Sequence, residues 1–307
     1  KSSLARANQD RDYHIFEEYA YYLVSEARQK CANHIFKLGG NVYAFDSTTI
    51  DLCLSVFWWA KFRKKKGGIK VHTLYDVETQ IPAFFHITEA SVHDSKVMIE
   101  IPYEPSSYYI FDRGYNNFKI LYKIHQIEAY FVVRAKKNLG YKSIQWKRRL
   151  PKNVLSDASV FLTGFYPKQY YPEPLRLVKY WDEEQEREFT FITNAMHISA
   201  LQVAELYKNR WQVELFFKWL KQHLKIKRFW GTTENAVRIQ IYAAICAYCL
   251  VAIIQHDMQL NRSTYEVLQI LSISLTDKTH LRDLFDKTKF QNDKERFGPN
   301  GPSLFNF

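Results

Sequence analysis

The sequence has few cysteines and no recognisable targeting signal. Four cysteines in 307 residues exclude a disulfide-built scaffold and favour a reducing compartment. No cationic and apolar signal peptide opens the chain, so we expect a cytoplasmic location. The chain starts at Lys1 rather than at Met, and we therefore expect further sequence ahead of it.

The hydropathy pattern also lacks a predicted membrane span. The most apolar stretch, residues 241–254, has 14 residues, whereas a helix needs about 20 to cross a bilayer. We predict a buried helix there. Cys246 and Cys249 lie inside this stretch, and Cys31 with His34 has a similar spacing. Small buried thiols are common in apolar helices, so we favour a structural role over a zinc site.

A large apolar fraction and a strong positive charge are present instead. Hydrophobic residues make up 47% of the chain, which suffices for a substantial core and excludes disorder over the whole length. The formal net charge is +11 and the pI is about 9.3. This charge indicates a polyanionic partner, either nucleic acid or an anionic membrane surface. Charge alone does not decide between the two.

The apolar segments of the first half predict an α/β fold. Strands are expected over residues 43–50, 69–75, 81–88, 107–112 and 129–134, with helices around 95–101 and over 115–126. Three strands, a helix, a strand, a helix and a strand is the order of an RNase H-like fold, whose first and fourth strands are parallel neighbours. We predict this fold class, a mixed sheet flanked by helices.

The second half of the chain changes character twice. Short β-like runs at 160–163, 175–181 and 188–193 predict a β-rich insertion. A helix is expected from an N-cap at Ser199 to about Leu224. The predicted divisions are an N-terminal helical segment (1–36), a first core part (37–137), the insertion (138–194), a second core part (195–258) and a helical tail (259–307).

Two aspartates on predicted strands are candidates for a metal site. Asp46 lies within the first strand, where an unpaired carboxylate is costly to remove from water. Asp112 ends the fourth strand, so both acids would meet at one edge of the sheet. Neighbouring carboxylates repel each other unless a divalent cation lies between them, and their oxygen atoms suit Mg²⁺ or Mn²⁺. For either aspartate alone, a cap or a turn is the competing interpretation.

A third acid lies on the helix that begins near Ser199. At about 100° per residue, one helix face carries Tyr207, Arg210, Glu214, Lys218 and Lys221. One carboxylate in a row of cations is expected where a metal-binding acid and phosphate-binding side chains converge. The competing interpretation is a solvated face with ion pairs four residues apart, each stabilising the helix by roughly 0.2–0.5 kcal/mol.

The spacing of these residues resembles a known signature. Tyr207, Arg210, Glu214 and Lys221 match the Y-(2)-R-(3)-E-(6)-K pattern of DDE transposases of the insertion-sequence 4 family. The segments FDSTTIDL, ASVHDSK and IFDRGY resemble further blocks of that family, and the resemblance extends from residue 3 to residue 285. It implies an RNase H-like core that is interrupted by a β-rich insertion. Family members usually carry a helical DNA-binding domain ahead of the core, which we expect this chain to lack.

The resemblance implies cut-and-paste DNA transposition, with cleavage at transposon ends and strand transfer into target DNA. The catalytic acids of the family, which hold two Mg²⁺ or Mn²⁺ ions, correspond to Asp46, Asp112 and Glu214. Its phosphate-contacting residues correspond to Tyr207, Arg210 and Lys221. The partners implied are double-stranded DNA, as terminal inverted repeats and target, and a second copy in a dimer on paired ends. We expect a bacterial, nucleoid-associated protein without a membrane partner.

Two alternatives stay open. One is a domesticated or inactive relic that binds DNA without cleaving it, against which the intact acids argue. The other is a simple metal-dependent nuclease of the same fold, which would cut DNA ends but never join them.

A basic run between the first two predicted strands is a second candidate DNA contact. It follows Trp58 and Trp59 and contains Lys61, Arg63, Lys64, Lys65 and Lys66. In the predicted fold this hairpin lies beside the acids, so together with Lys218 it is expected to bind the DNA backbone. The competing interpretation is a solvated hairpin tip. For Trp146 and Trp181 we favour a place in a small β core over stacking on an unpaired base.

Overall fold

A ten-stranded mixed sheet forms the centre of the protein. The structure, a computed structural model, describes residues 3–32, 36, 38–63, 66–223, 229–274 and 278–287. His34, Lys64, Lys65 and Leu224 lie outside these ranges. The strands are β1 (Val42–Leu52), β2 (Lys61–Arg63), β3 (Lys66–Asp76), β4 (Ile81–Glu89), β5 (Tyr108–Phe111), β6 (Tyr130–Arg134), β7 (Tyr141–Trp146), β8 (Val154–Leu162), β9 (Leu175–Asp182) and β10 (Arg187–Thr193).

Helices precede, connect and follow the strands. In the described ranges they are α1 (Ser3–Asp10), α2 (His14–Lys30), α3 (Asp94–Val97), α4 (Phe118–Gln126), α5 (Phe165–Tyr170), α6 (Ala200–Lys208), α7 (Trp211–His223), α8 (Glu234–Asp257), α9 (Thr264–Ile273) and α10 (Leu281–Lys287). Short 3₁₀ turns occur at Met98–Glu100 and Arg113–Tyr115.

The strand order confirms the predicted fold class. The order is β2-β3-β1-β5-β6-β10-β9-β8-β7, and β4 pairs with β3. β1 and β5 are parallel neighbours, as are β5 and β6, whereas β3 is antiparallel to β1 and to β4. This is the mixed sheet of an RNase H-like fold, and the first and fourth predicted strands pair as expected.

The central strand β5 consists of apolar and aromatic residues because both of its faces are covered. Every residue of β5 is buried. On one face, a single hydrophobic cluster joins Leu121 and Ile124 of α4 to Phe111 and Phe131 of the sheet. These fully buried aromatic and aliphatic side chains fix the end of β5, and with it the position of the residue that follows the strand.

Strands β7 to β10 extend the same sheet. β10 pairs antiparallel with β6, and β9, β8 and β7 follow in order. The three predicted runs lie almost wholly within β8, β9 and β10. β7 and α5 were not predicted, because the side chains of the edge strand β7 are mostly exposed and lack a buried apolar face. The predicted domain divisions remain predictions.

The helix that we predicted from Ser199 onwards is interrupted between α6 and α7. Ser199 caps α6 as predicted, through a capping box. At the interruption, the amide of Arg210 donates to the carbonyl of Tyr207 at 3.0 Å, across three residues rather than four. The side-chain amide of Asn209 donates to the carbonyl of Glu205 at 2.9 Å and competes for a helical acceptor. No single helix face therefore runs from Tyr207 to the end of α7.

The chain divides into two compact units, at Lys1–Cys249 and Leu250–Phe307. In the second unit, a small hydrophobic core is formed by Val251, Val267, Ile270 and Phe285. A capping box formed by Ser263 and Glu266 starts α9 in this unit.

The helix α8 is longer than the apolar stretch that we predicted to be buried. In the described part of the chain it is the one helix that is long and apolar enough, by length and composition, to cross a membrane. Helices in protein cores meet the same criterion. Val237, Ile241, Ile245 and Cys249, spaced four residues apart, are all at most 1% exposed, which is the pattern of a core helix.

Candidate active site

The two candidate aspartates follow directly on the paired ends of parallel strands. β1 and β5 pair up to Phe45 and Phe111, and Asp46 and Asp112 are the next residues. β5 ends at this point, whereas β1 continues beside β3. The end of β5 opens the sheet on one side of β1, and both acids lie at that opening, as the sequence predicted.

Asp46 is held by three donors from different parts of the chain. Its side chain is 21% exposed, and Oδ2 accepts a hydrogen bond from the guanidinium of Arg210 at 2.7 Å. Oδ1 accepts one from the backbone amide of Ser47 at 2.8 Å and one from the hydroxyl of Tyr115 at 3.3 Å. Tyr115 reaches Asp46 past the end of β5.

These donors do not offset the cost of ionising Asp46. Burial raises its pKa to about 6, and the charges of Glu214 and Asp112 act in the same direction. Arg210 and the amide of Ser47 lower the pKa but do not restore its usual value. Burial is the main reason why the ionised form of Asp46 is disfavoured, and the two neighbouring acids add to it, as is frequent at functional sites.

Arg210 joins two of the three candidate acids. One of its terminal nitrogens donates to Asp46 and the other to Glu214, which lies four residues further along α7. The Arg210 side chain is largely buried, and its Nε atom has no hydrogen-bond partner in the described part of the protein. The guanidinium thus lies where a cation between the carboxylates of Asp46 and Glu214 would be expected.

The third acid, Asp112, is held separately. The hydroxyl of Tyr207 donates to Asp112 Oδ1 at 2.9 Å, and a terminal nitrogen of Arg134 lies 4.0 Å from the same atom. Burial raises the pKa of Tyr207 to about 12, and the charge of Asp112 contributes, so this hydroxyl remains a donor at neutral pH. The last turn of α6 therefore directs Tyr207 to one aspartate, and the turn between α6 and α7 directs Arg210 to the other.

A pocket of about 410 Å³ lies between β1 and α7. Its lining residues are Asp46, Ser47, Thr48, Glu214, Phe217, Lys218, Lys221 and Gln222. The ammonium group of Lys221 donates to the carbonyl of Thr49 at 2.9 Å and so ties α7 to β1 at the far end of the pocket. Two acids and two lysines of the predicted set thus share one pocket.

The donor chemistry of this site suits a hard divalent cation, although the carboxylates are not gathered around one point. In the described ranges, no three His, Cys, Asp or Glu side chains are close enough to hold a metal ion. Asp46 and Glu214 are bridged by Arg210 instead. The ionised form of Asp46 is disfavoured by burial and, to a smaller extent, by the other two acids, and a bound cation would favour it.

A second polar group lies behind the acids and was not predicted. The hydroxyl of Ser47 donates to Asp94 at 2.7 Å, and the ammonium group of Lys70 lies 3.1 Å from the same oxygen atom. His72 is fully buried beside them, with Nδ1 3.8 Å from Asp94. Asp94 belongs to the ASVHDSK block and His72 to the segment VHTLYD, which also resembles a block of the family. It supports the strand residue next to Asp46 from the opposite face of the sheet.

The structure places only part of the predicted basic run. Lys61 and Lys66 are exposed on the hairpin of β2 and β3, and the backbone of Arg63 belongs to β2. Trp146 and Trp181 are 62% and 39% exposed, so the prediction that they fill a β core was wrong. Trp146 ends the edge strand β7, where no further strand of the described sheet covers it.

Known proteins are similar in sequence to this chain over most of its length. The family described as Transposase DDE domain matches residues 37–250. A protein of Sinorhizobium fredii (strain NBRC 101917 / NGR234) that bears the name transposase y4zB is 37% identical over 246 residues, 78% of this chain and 67% of its own length. A protein of Geobacillus stearothermophilus, named a transposase for insertion sequence element IS5377, is 27% identical over 249 residues, 81% of this chain and 66% of its own. The chain thus spans about two thirds of the length of both relatives.

Proposed function

The chain belongs to the DDE transposase family and acts on DNA, and we propose that it cuts DNA at transposon ends and joins the cut strand to target DNA. In this proposal Asp46, Asp112 and Glu214 are the catalytic acids. The observation that supports it most is the meeting of two sheet-borne aspartates with the turn between α6 and α7. Tyr207, at the end of α6, contacts Asp112, and Arg210, in the turn, contacts Asp46 and Glu214.

The three acids would hold divalent cations, Mg²⁺ or Mn²⁺, and we propose two ions for each site. Such ions, when bound, supply positive charge that activates the attacking hydroxyl group and stabilises the departing oxygen at phosphorus. The raised pKa of Asp46 supports this assignment, because burial and the two neighbouring acids disfavour its ionised form despite Arg210, and a bound cation would favour that form. The role of the protein is to place the carboxylate oxygens at the open edge of the sheet.

Arg210, Lys218 and Lys221 would bind the phosphates of the DNA. Lys218 and Lys221 line the same pocket as Asp46 and Glu214. A DNA strand that enters the pocket would therefore contact both positively and negatively charged side chains. A phosphate group offers the guanidinium of Arg210 a bidentate partner of the kind that arginine prefers. Arg210 would then release Asp46 and Glu214. The same residue would thus hold the acids in the free protein and the substrate in the complex.

The test is a combined cleavage and joining assay. The protein is incubated in Mg²⁺ with labelled duplexes that carry the inverted repeats flanking its gene, and with a supercoiled target plasmid. The expected result is cleavage at the repeat and insertion of the cut end into the plasmid. Cutting without insertion would support the simple nuclease instead, and binding without cutting would support the inactive relic.

Substitutions at the acids make the assay specific to the proposed site. The variants D46N, D112N and E214Q should bind the repeat and fail to cut or join it, because the acids hold metal rather than DNA. Glu89→Gln is the matched control, since this acid is exposed at the end of β4 outside the pocket. Near-normal cutting by E214Q would remove Glu214 from the proposal.

Two finer features complete the proposal. We propose that a dimer holds two transposon ends together, because excision requires cuts at both ends of one element. Binding to the chromosome, as expected from the net charge of +11, would place the protein at the nucleoid.

A further inference from the structure

Two loops beyond the pocket are each fixed by a close backbone approach. The first joins β1 to β2 at residues 53–60, and the second precedes α8 at residues 229–233. A Cβ atom at Gly67 would lie 2.9 Å from the carbonyl oxygen of Ala60, and one at Gly231 would lie 2.5 Å from the Cβ of Ala236. Neither glycine can be replaced without moving its neighbour, so both loops pack tightly.

The two loops also hold each other. The indole nitrogen of Trp59 donates to the carbonyl of Thr232 at 2.8 Å. The ring of Phe57 lies edge-on to that of Phe229 at 6.1 Å and to that of Trp59 at 6.5 Å. Three inward-facing rings thus form a base that joins the loops.

The two tryptophans that neighbour these rings along the chain face outward. Trp58 lies between Phe57 and Trp59 and is 76% exposed, and Trp230 follows Phe229 and is 63% exposed. The backbone amide of Trp230 donates to the side chain of Gln240 at 3.1 Å, which fixes the backbone that carries this indole. An exposed indole on a fixed loop loses little conformational freedom when a flat ligand stacks on it.

Both walls of the pocket lead along the chain to these loops. β1 lines the pocket at Asp46 and reaches the first loop after Leu52, six residues and about 20 Å further on. α7 lines it through Lys221, and the second loop begins six residues after this helix ends. The exposed lysines Lys61 and Lys66 lie on the hairpin that follows the first loop. Cations next to exposed aromatic rings are typical of surfaces that bind single-stranded nucleic acid.

We propose that Trp58 and Trp230 form a stacking platform for unpaired bases of a DNA strand that leaves the active site along β1 and α7. The platform rests on the proposed function, because that function brings a DNA strand into the pocket. Its ligand class is an unpaired nucleobase, since an indole face pairs with a base face only where the base is out of the duplex.

The test measures binding in EDTA, so that it is independent of cleavage. Three labelled DNAs are compared by fluorescence anisotropy: a blunt duplex, the same duplex with a four-nucleotide overhang of thymidines, and the single strand. We expect W58A and W230A each to weaken overhang and single-strand binding by at least about fivefold, and to leave blunt-duplex binding within about twofold. The aromatic replacements W58F and W230F should retain most of the affinity, because a phenyl ring also stacks.

The control is Tyr22→Ala, which removes an exposed aromatic ring from α2 and should not alter binding to any of the three DNAs. Thermal unfolding of each variant identifies loss of folding, and the phenylalanine variants test the proposal if an alanine variant unfolds. Equal losses on blunt and overhang DNA, or no loss on either, would overturn the platform. A change of oligomeric state without a change in DNA affinity would overturn it too, in favour of a protein interface. If wild-type protein binds overhangs but never cuts repeats, the proposed function fails while the platform stands.

Discussion

Two carboxylates of this protein each face an arginine, yet their pKa values move in opposite directions. In strands β8 and β9, the guanidinium of Arg176 donates two hydrogen bonds to the carboxylate of Asp157, at 2.7 and 2.8 Å, and both side chains are buried. Burial raises the pKa of Asp157, but the bonds from Arg176 and Lys147 outweigh burial and lower it. At the open sheet edge, Asp46 receives one bond from Arg210 and its pKa rises to about 6.

The two carboxylates differ in the positive charge that each receives, because Asp157 is paired with both Arg176 and Lys147. Arg176 uses its remaining donor for the carbonyls of Ala195 and Ile198, so all of its charge serves one carboxylate. Arg210 is divided between Asp46 and Glu214, and Asp112 adds a third negative charge nearby. The compensated Asp157 is a structural residue, whereas the acid at the open edge is where we propose that a cation binds.

The largest expected effect separates the two carboxylates by activity. D46N should reduce DNA cleavage by several orders of magnitude, because losing one acid dismantles the proposed metal site as a unit. D157N, corrected for the fraction of folded protein, should cleave nearly as well as wild type. Cleavage is measured on the repeat duplex in Mg²⁺. Similar losses in both variants would mean that the two carboxylates do not differ in role.

The second-largest expected effect distinguishes Asp157 from Asp46 by its contribution to the free energy of unfolding. D157N should lower the free energy of unfolding by about 3–5 kcal/mol, because it leaves the buried guanidinium of Arg176 without its counter-charge. Urea denaturation followed by circular dichroism measures this loss. Asp182→Asn is the control, since this half-buried carboxylate accepts hydrogen bonds from the loop amides of Glu184 and Gln185 and should change stability by less than about 1 kcal/mol. A loss below about 1 kcal/mol in D157N would contradict full compensation.

Replacing Asp46 by asparagine should raise the free energy of unfolding, whereas D157N should lower it. A carboxyl whose pKa is raised from 3.8 to about 6 on folding adds stability below pH 3.8, and that contribution is lost as the pH rises through 6. The ionised form at pH 8 therefore costs about 3 kcal/mol relative to an unshifted acid. Asparagine cannot ionise, so D46N in EDTA should be more stable than wild type at pH 8, by up to about 3 kcal/mol. The difference should shrink towards pH 4. A less stable D46N at pH 8 would contradict the raised pKa of Asp46.

The sequence separation of the contacts determines which features of the fold and of the site could be predicted. The parallel pairing of β1 with β5 was predictable, because element order and apolar patterning determine which strands are neighbours. The meeting of Asp46 and Asp112 at one edge followed from that pairing. The placement of Arg210 against Asp46 was not predictable, since it depends on the turn that Asn209 introduces between α6 and α7 and on a contact 164 residues apart.

The polar group behind the acids, which contains Ser47, Lys70, His72 and Asp94, was not predicted for a related reason. Ser47 lies opposite His72 in the β1–β3 register, which brings Lys70 to the same face two residues further on. Only the packing of α3 over that face adds Asp94 and completes the group. Side-chain contacts between distant segments are set by such packing, and periodicity along the chain carries no trace of them.

The smallest expected effect concerns Tyr115, whose hydroxyl donates to Asp46 at 3.3 Å. Tyr115→Phe keeps the ring, which packs against Phe45 and Phe111, and removes one long hydrogen bond. Asp46 Oδ1 retains the amide of Ser47 at 2.8 Å, so the acid should shift only slightly. We expect stability to fall by about 0.5–1.5 kcal/mol and cleavage to fall a few-fold.

The control for this variant is Tyr109→Phe, on the same strand as Phe111 but away from the acids. The Tyr109 hydroxyl accepts a hydrogen bond from the amide of Glu104 at 2.7 Å, so its loss should lower stability about as much as in Tyr115→Phe. Cleavage per folded molecule should be unchanged, because no acid of the site is touched. If both variants lose cleavage equally, the hydroxyl of Tyr115 acts only through folding. If Tyr115→Phe alone loses cleavage, the hydrogen bond from Tyr115 positions Asp46 for the reaction. Tyr115 can form this bond because it reaches Asp46 past the end of β5. The position of Asp46 is then fixed by this contact rather than by the surrounding charges.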